Sequence, residues 1–490
     1  MRNVLFVFAA VLATAHAAPA DPFEVALWRG ETAVVRVPDY TELGEAPEGI
    51  SVRVGVMKPV KYLTHVYRLQ RSECFDRVEW GAKEIDGPRV AEITAPMEAK
   101  PGLYRWGLMD IRIVDRVFPP AKAWKYYLDL WQHPWASARL AKAEPFSDAH
   151  YAAMRPVWEL LASAGQKTLT VTLVDRPWNH QCRDAYGSLI GRMKNADGSW
   201  SFDYSLFDRY VRFGRECGLG PHIACYTMCP WGNVVRWKNA RGEIESAVAA
   251  PGTKEFEDFW GDFIVDFAAH LKKEGWFSDA YIAMDERDPK DVTAIATFIL
   301  KRAPGMKIAM AGNRKPSEFA DIAIDSYSQY IGHITPEFLA EIADRRAKGF
   351  VTTYYVCCGP EFPNTFLCSM PDESFWIGVY PGMVGLDGFL RWAWNSWGED
   401  PMRDGSFRDW RAGDVYLVYP DGSPSFRFLE LRNGIVAAEK LRLLKEQGLF
   451  AEEIAALAKR FDYKEAMANR SDFRKLRADT LKLVNREVSK

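Results

Sequence analysis

The chain lacks a strong charge of either sign. Its 63 basic and 65 acidic residues leave a formal net charge of −2 over 490 residues. That balance gives no electrostatic footprint for nucleic acid or for an anionic membrane. Cysteine is scarce: eight residues, at positions 74, 182, 217, 225, 229, 357, 358 and 368, are too few to staple so long a chain. Cys225 and Cys229 have no second Cys or His pair nearby, so the spacing fits no zinc site, and neither a metal nor a cofactor is expected. No cysteine has a base partner in sequence, which argues against a catalytic thiolate. Buried thiols with one or two bridges are expected, their pairing left open, and Cys357 and Cys358 are expected to shape a pocket floor rather than react. A Gly-rich phosphate fingerprint after a strand is also missing, which disfavours a dinucleotide fold. No internal apolar run is long enough to cross a bilayer.

The N-terminus carries one short apolar run, Val4 to Ala13, behind Arg2 and ahead of Ala15-His16-Ala17. That is the pattern of a cleaved export signal, so residues 1–17 are expected to be removed near Ala17 and the mature protein to be periplasmic or secreted. From 18 to 122 short period-two runs such as Ala33–Val37, Val52–Val56 and Val90–Ile93 alternate with turn signals, which predicts an immunoglobulin-like β-sandwich. From 123 to 447 the rhythm becomes strand, helix, strand. Strands are expected at 125–130, 167–174, 222–227, 280–285, 306–310, 321–326, 350–355 and 389–394. Helices are expected between most of them, including 147–164, 289–302 and 336–347, with a closing helix from about 424 to 445. Eight such units predict a (β/α)8 barrel. Residues 448–490 are charged and read as a helical extension packed on the barrel exterior.

Aromatic residues are abundant, 13% of the chain with 18 Trp and 20 Tyr, more flat amphipathic rings than a core requires. Many fall at expected strand ends. Trp131 and His133 follow the first strand, and Trp178 and His180 the second. Tyr226 ends the third, and Asn313 follows the fifth. Tyr327 lies beyond the sixth, Tyr354 and Tyr355 end the seventh, and Trp392 and Trp394 the eighth. Polar and aromatic groups gathered at one rim of a barrel suit a sugar-binding pocket. The fourth strand, Tyr281 to Met284, runs into adjacent carboxylates, Asp285 and Glu286, before an N-cap and proline at Asp288-Pro289. A carboxylate pair is the equipment of glycoside hydrolysis. Neighbours on a regular strand point to opposite faces, so the two serve one pocket only if the strand ends between them. In that position Glu286, partly buried beside a second carboxylate, suits the general acid, and Asp285 suits an orienting and charge-stabilising role. The alternative nucleophiles, distant in sequence, are Glu361 and Glu399.

Several strings resemble glycoside hydrolase family 123: Leu128 to Pro134, Pro145 to His150, Asp197 to Trp200 with Phe202 to Asp208, Tyr354 to Pro360, Gly388 to Trp394, and Asp414 to Pro420 with Leu431 to Gly434. The resemblance spans nearly the whole mature chain. It implies a β-sandwich followed by a catalytic barrel, and a retaining β-N-acetylgalactosaminidase with an adjacent Asp-Glu pair. Carried over, Asp285 is the stabiliser and Glu286 the general acid/base, in a substrate-assisted reaction on a terminal β-linked N-acetylhexosamine of a glycan. A retaining glycosidase on a sugar without the acetamido group, or a glycan-binding barrel without catalysis, are the alternatives.

Overall fold

The computed structural model describes residues 23–38, 43–64, 71–319, 322–468 and 472–487. The expected export signal lies outside them. Seven strands form two sheets: β1 Phe23–Arg29, β2 Thr32–Val37, β3 Ser51–Leu63, β4 Arg71–Trp80, β5 Arg89–Thr94, β6 Gly102–Trp106 and β7 Met109–Val117. One sheet has the order β1-β7-β6 and the other β2-β5-β3-β4. Alternation places Leu27, Ala91, Ile93, Ile111 and Ile113 between the sheets. The opposite face of the four-stranded sheet is also buried, because Val34, Val60, Val78 and Val90 join the main core of the barrel.

The barrel strands are β8 Tyr127–Leu130, β9 Thr168–Thr172, β12 His222–Tyr226, β15 Ala280–Met284, β16 Lys307–Gly312, β17 Ser326–Tyr330, β18 Val351–Tyr355 and β19 Gly388–Arg391, all paired in parallel. Two hairpin arms rise from the loops. They are β10 Gly191–Lys194 with β11 Trp200–Asp203, and β13 Val234–Asn239 with β14 Ile244–Val248, which join as one small sheet. The seam between β8 and β9 has a single backbone bridge, Leu128 to Gln166. Side-chain amides complete it: Gln166 accepts from the Leu130 amide at 3.0 Å, and Gln132 accepts from the Thr170 amide at 2.8 Å. Two buried glutamines thus stand in for missing ladder bonds.

Outside the strands lie α1 Pro134–Ala141, α2 Asp148–Ala162, α3 Ser205–Glu216, α4 Lys254–Lys273, α5 Pro289–Arg302, α6 Pro336–Ala347, α7 Pro371–Val384 and α8 Phe426–Glu446. The capping side chains of Ser147, Thr253, Asp288, Thr335 and Ser425 each accept a bond from their helix's first-turn amides. Helices α7 and α8 touch backbone to backbone. A Cβ added to Gly434 would lie 2.2 Å from the Phe375 carbonyl, and one added to Gly378 2.4 Å from that of Leu431. Three C-terminal helices, α9 Ala451–Ala458, α10 Tyr463–Ala468 and α11 Asp472–Val484, cover this pair through Phe461 and Phe473 on Trp376.

Helix α8 is also the clasp to the sandwich. Arg427 pairs with Asp76 at 2.9 Å, both almost fully buried, and Tyr419 donates to the same carboxylate at 2.6 Å. Arg432 reaches Glu92 at 2.8 Å, and Lys440 reaches Glu31 at 2.5 Å. A cavity of about 400 Å³ lies along this clasp, lined by Arg53, Trp80, Glu92 and Arg432. Its charged groups are already paired with one another, and none of the strand-end carboxylates lines it.

Two expectations are corrected here. The sixth strand begins at Ser326, not near 321, because pairing of Ala309 with Ser326 sets its register. Its polar sequence hides it, since alternate residues meet the barrel interior and α6. All eight cysteines are free, so the expected bridges are absent. Cys357 and Cys358 meet at 3.8 Å in a thiol–thiol hydrogen bond and form no disulfide, the first half-buried and the second exposed.

Candidate active site

Each barrel strand sends alternate residues inward. Leu169 lies against α3, packed within 2.8 Å of where a Cβ on Gly214 would stand, so its neighbours Thr168, Thr170 and Thr172 face the interior. The lower layer stacks Tyr127 on His222, with Tyr281 at the edge of the same imidazole. The upper layer brings Trp131 against Tyr226, with Asp285 within electrostatic reach of the Tyr226 phenol, and sets Tyr330 beside Tyr355. Trp131 stacks on Trp178 at 5.1 Å and leans on Tyr226 at 4.5 Å.

Strand β15 ends at Met284, so Asp285 and Glu286 sit in the following turn and escape strict alternation. Their environments differ. Asp285 is 7% exposed and accepts a bond from the Trp231 indole N–H. The Arg287 guanidinium stands 3.1 Å from its other oxygen. Burial pushes its pKa up, and Arg287 and Trp231 oppose that push. Trp231 itself is 40% exposed, held in the short turn Trp231–Asn233 after β12. Its backbone N–H donates to the Pro177 carbonyl at 2.8 Å. Glu286 is exposed, a correction to its expected partial burial, and accepts from the Tyr355 hydroxyl. Burial and the Glu286 charge hold the Tyr355 phenol well above its ordinary pKa, so it keeps the proton it donates.

Below this pair, Asp129 in the middle of β8 is 6% exposed with one oxygen unpartnered. Burial lifts its pKa to about 7. Tyr226 lies within the electrostatic reach of both Asp129 and Asp285.

The other expected pocket residues divide sharply. Tyr355 faces the pocket, but Tyr354 points outward, its hydroxyl donating to the Ile377 carbonyl on α7 at 2.7 Å. Trp392 is buried against Trp410 with its indole N–H toward Asp414, and Trp394 is fully buried against Phe428 of α8. Tyr327 also faces outward, packed near Phe319 with its hydroxyl on the Arg314 carbonyl. His133 is fully buried and stacked on Tyr186 at 3.7 Å, and burial lowers its pKa to about 3, so it is a neutral packing group. His180 and Asn313 are exposed rim residues. Their backbone carbonyls accept from Arg408 and from the His333 imidazole. Glu361 and Glu399 lie in surface ion pairs with Arg411 and Arg183.

Sequence reasoning missed Trp231, Arg287 and Asp129. A tryptophan between Pro230 and Gly232 just past a strand, and an acid inside an apolar strand, were the available signals. Away from the pocket, Asp208, His270 and Glu274 bring ligand atoms within 4.8 Å of one another. Arg212 already contacts both carboxylates, so this group is a paired helix-to-helix contact.

The family model for the glycoside hydrolase 123 catalytic domain matches residues 131–444. None of the curated proteins compared matches the chain. Among solved structures, a family 123 glycoside hydrolase from Clostridium perfringens, described in terms of glycolipid glycan hydrolysis, aligns with a TM-score of 0.80. Identity is 22%, and the alignment covers 94% of each chain. A Clostridium thermocellum endo-1,4-β-D-xylanase 10B aligns at a TM-score of 0.35 and 8% identity, over 84% of this chain and 86% of the other.

Proposed function

This chain belongs to glycoside hydrolase family 123, and from that premise we propose that it is an exported enzyme. It removes a terminal β-linked N-acetylhexosamine, N-acetylgalactosamine foremost, with retention of configuration. The observation that carries this reading is the unequal holding of two adjacent carboxylates: Asp285 buried and fixed by Trp231 and Arg287, Glu286 open and fixed by Tyr355. A retaining enzyme with a protein nucleophile places that carboxylate across the sugar from its acid, about 5 Å away. Consecutive residues of one turn approach from one side, and Glu361 and Glu399 are tied to surface arginines.

The nucleophile is then the substrate's own acetamido oxygen, a known exception to the two-carboxylate pattern. Asp285 accepts from the acetamide N–H and balances the positive charge that develops as the carbonyl oxygen bonds to the anomeric carbon. Glu286 gives its proton to the departing glycosidic oxygen. It then takes a proton from the water that opens the cyclic intermediate. Trp131, Tyr226 and Trp231 supply apolar faces for the ring. The family 123 enzyme from Clostridium perfringens concerns glycolipid glycans, which is consistent with a terminal amino sugar here.

The test uses nitrophenyl glycosides. We expect turnover of the β-N-acetylgalactosaminide, near inertness of the plain β-galactoside, and inhibition by a thiazoline mimic of the cyclised intermediate. Glu286→Gln should spare good leaving groups more than poor ones. Efficient hydrolysis of the plain galactoside without thiazoline inhibition sinks the acetamido role.

A further inference from the structure

In the loops after β8, β9 and β12 lies a second cavity, about 370 Å³, lined by Trp135, Asp175, Arg176, Tyr186, Gly187 and Arg236. Its size falls in the range of small-molecule sites. The segments that build it also frame Asp285. Arg176 immediately precedes Pro177, whose carbonyl holds the Trp231 backbone. Arg236 lies on β13, which leaves the turn that carries Trp231. Tyr186 packs on Trp178 at 4.9 Å, and Trp178 stacks on Trp131 of the pocket. The cavity is therefore a side chamber whose loops and rings, Tyr186 on Trp178 on Trp131, also wall the catalytic pocket.

Its charge is unusual for this rim. Nearby Arg139 and Arg183 are each committed to a carboxylate, Asp184 and Glu399. Among the described residues, Arg176 and Arg236 stand in no ion pair, and both border the cavity. The carboxylate of Asp175 is partly spent, one oxygen accepting the Ser188 amide at 2.8 Å. The chamber thus presents two uncommitted guanidinium groups, one partly engaged acid and the face of a half-buried tryptophan. Planar guanidinium groups bind carboxylate and sulfate oxygens by paired charge-assisted bonds, and an indole face stacks on a sugar ring.

We propose that this chamber is a subsite for an acidic substituent, a carboxylate or a sulfate ester, on the sugar next to the one removed. The proposal rests on the reading of the enzyme as one that removes a terminal sugar. When the cleaved residue is terminal, the glycan extends only on the leaving-group side, so a chamber outside the pocket meets that neighbour. Arg176 and Arg236 hold the anion, and Trp135 supports the ring that bears it.

The experiment uses disaccharides of β-linked N-acetylgalactosamine on galactose, in which the galactose bears nothing, a sulfate ester, or a linked carboxyl sugar. At low salt we expect at least one acidic form to show a KM about tenfold below the neutral form. The preference should shrink as salt screens it. The double variant Arg176→Met with Arg236→Met should lose the preference, while Arg241→Met, on the same hairpin arm but outside the chamber, keeps it. Which acid gains identifies carboxylate or sulfate as the natural group. In parallel, calorimetry on the Glu286→Gln protein reads binding of the same three compounds without turnover. Tighter binding of an acid form to this variant, with no hydrolysis of any of the three compounds by the wild type, would overturn the proposed activity and keep the subsite. Turnover with equal KM for neutral and acidic forms, or a preference that survives the double variant, overturns the subsite and keeps the activity.

Discussion

Asp285 and Asp414 are both buried aspartates beside an arginine, and both have a pKa raised by burial. They serve opposite ends. Asp414 faces Arg391 at 2.6 Å with both side chains fully buried. Arg391 is bound further by Asn364 and by the Val356 and Asp414 carbonyls. That pair locks β19 to the loop ahead of α8 and leaves no face for a ligand. Asp285 has a looser arginine at 3.1 Å and a donor from a tryptophan that is itself 40% exposed. Each aspartate keeps one buried oxygen without a hydrogen bond; what differs is that Asp414 lies wholly inside the core, while Trp231, the donor to Asp285, and the neighbouring Glu286 reach solvent. An acid whose partners reach solvent is placed for chemistry, and the exposure of those partners separates the two regions where residue type does not.

Swapping each acid for its amide breaks the comparison most directly. Asp285→Asn should cost about 10³-fold in kcat, because the amide neither accepts from the acetamide N–H as strongly nor balances the developing charge. Its melting temperature should move little. Asp414→Asn should leave an unpaired buried guanidinium and cost roughly 3–5 kcal/mol of stability, with kcat per folded molecule nearly intact. Paired denaturant melts and steady-state kinetics read both. If Asp414→Asn instead lowers kcat by orders of magnitude in a well-folded protein, the division between locking and chemical acids fails.

Asp129 sharpens the comparison through pH. Its carboxyl titrates near 7 in the fold against 3.8 for the ordinary group. Between those values the folded chain holds a proton that the unfolded chain has lost, so this group's contribution to stability falls as pH rises from about 4 to 7. By linkage the full loss is at most about 4 kcal/mol. Asp129→Asn removes the titration, so its stability relative to the wild type should climb as pH is raised from 5 to 8. His133, held neutral with a pKa near 3, contributes the opposite slope, with stability lost as pH falls from about 6.5 toward 3. Between about pH 4 and 6.5 the two slopes offset one another in the wild type, so the difference between wild type and Asp129→Asn is what isolates Asp129. A flat wild-type-minus-variant difference across pH 5 to 8 would show that Asp129 is not kept protonated.

How much of this was legible in the chain follows from how local each signal is. Helices α5 and α6 begin where Asp288-Pro289 and Thr335-Pro336 say they must, because a cap acts through amides of its own first turn. Helix α7 was invisible: it is buried on nearly every side and contains Pro381, so it shows neither an amphipathic stripe nor an unbroken run. Strand β17 was misplaced because its limits come from pairing with β16, a contact between distant parts of the chain. At the site, the adjacent acids announced themselves, being next to each other at a strand end. Trp231 did not, since only the fold brings the loop after β12 over the end of β15. Period-two alternation lets only one of the adjacent Tyr354 and Tyr355 face the pocket, and which one depends on register against β17 and β19.

Those two tyrosines give the smallest and cleanest contrast, since one sits in each kind of region. Tyr355 donates to Glu286, an exposed carboxylate in the pocket, and Tyr354 donates at 2.7 Å to the Ile377 carbonyl inside the core. Phenylalanine at each position removes one hydroxyl and keeps the ring. A bond to a charged group is worth roughly 1.5–3 kcal/mol, but only the part that differs between ground and transition state enters the rate. Tyr355→Phe should therefore lower kcat by about tenfold, with little change in melting temperature, because Glu286 loses the group that fixes its orientation. Tyr354→Phe leaves a buried carbonyl without its donor and should cost about 1 kcal/mol of stability, with kcat unchanged. Rates on a poor leaving group make the first effect easiest to see, since proton donation then limits the reaction. Equal loss of kcat in both variants would mean that the ring packing of β18, and not the hydroxyl on Glu286, sets the activity.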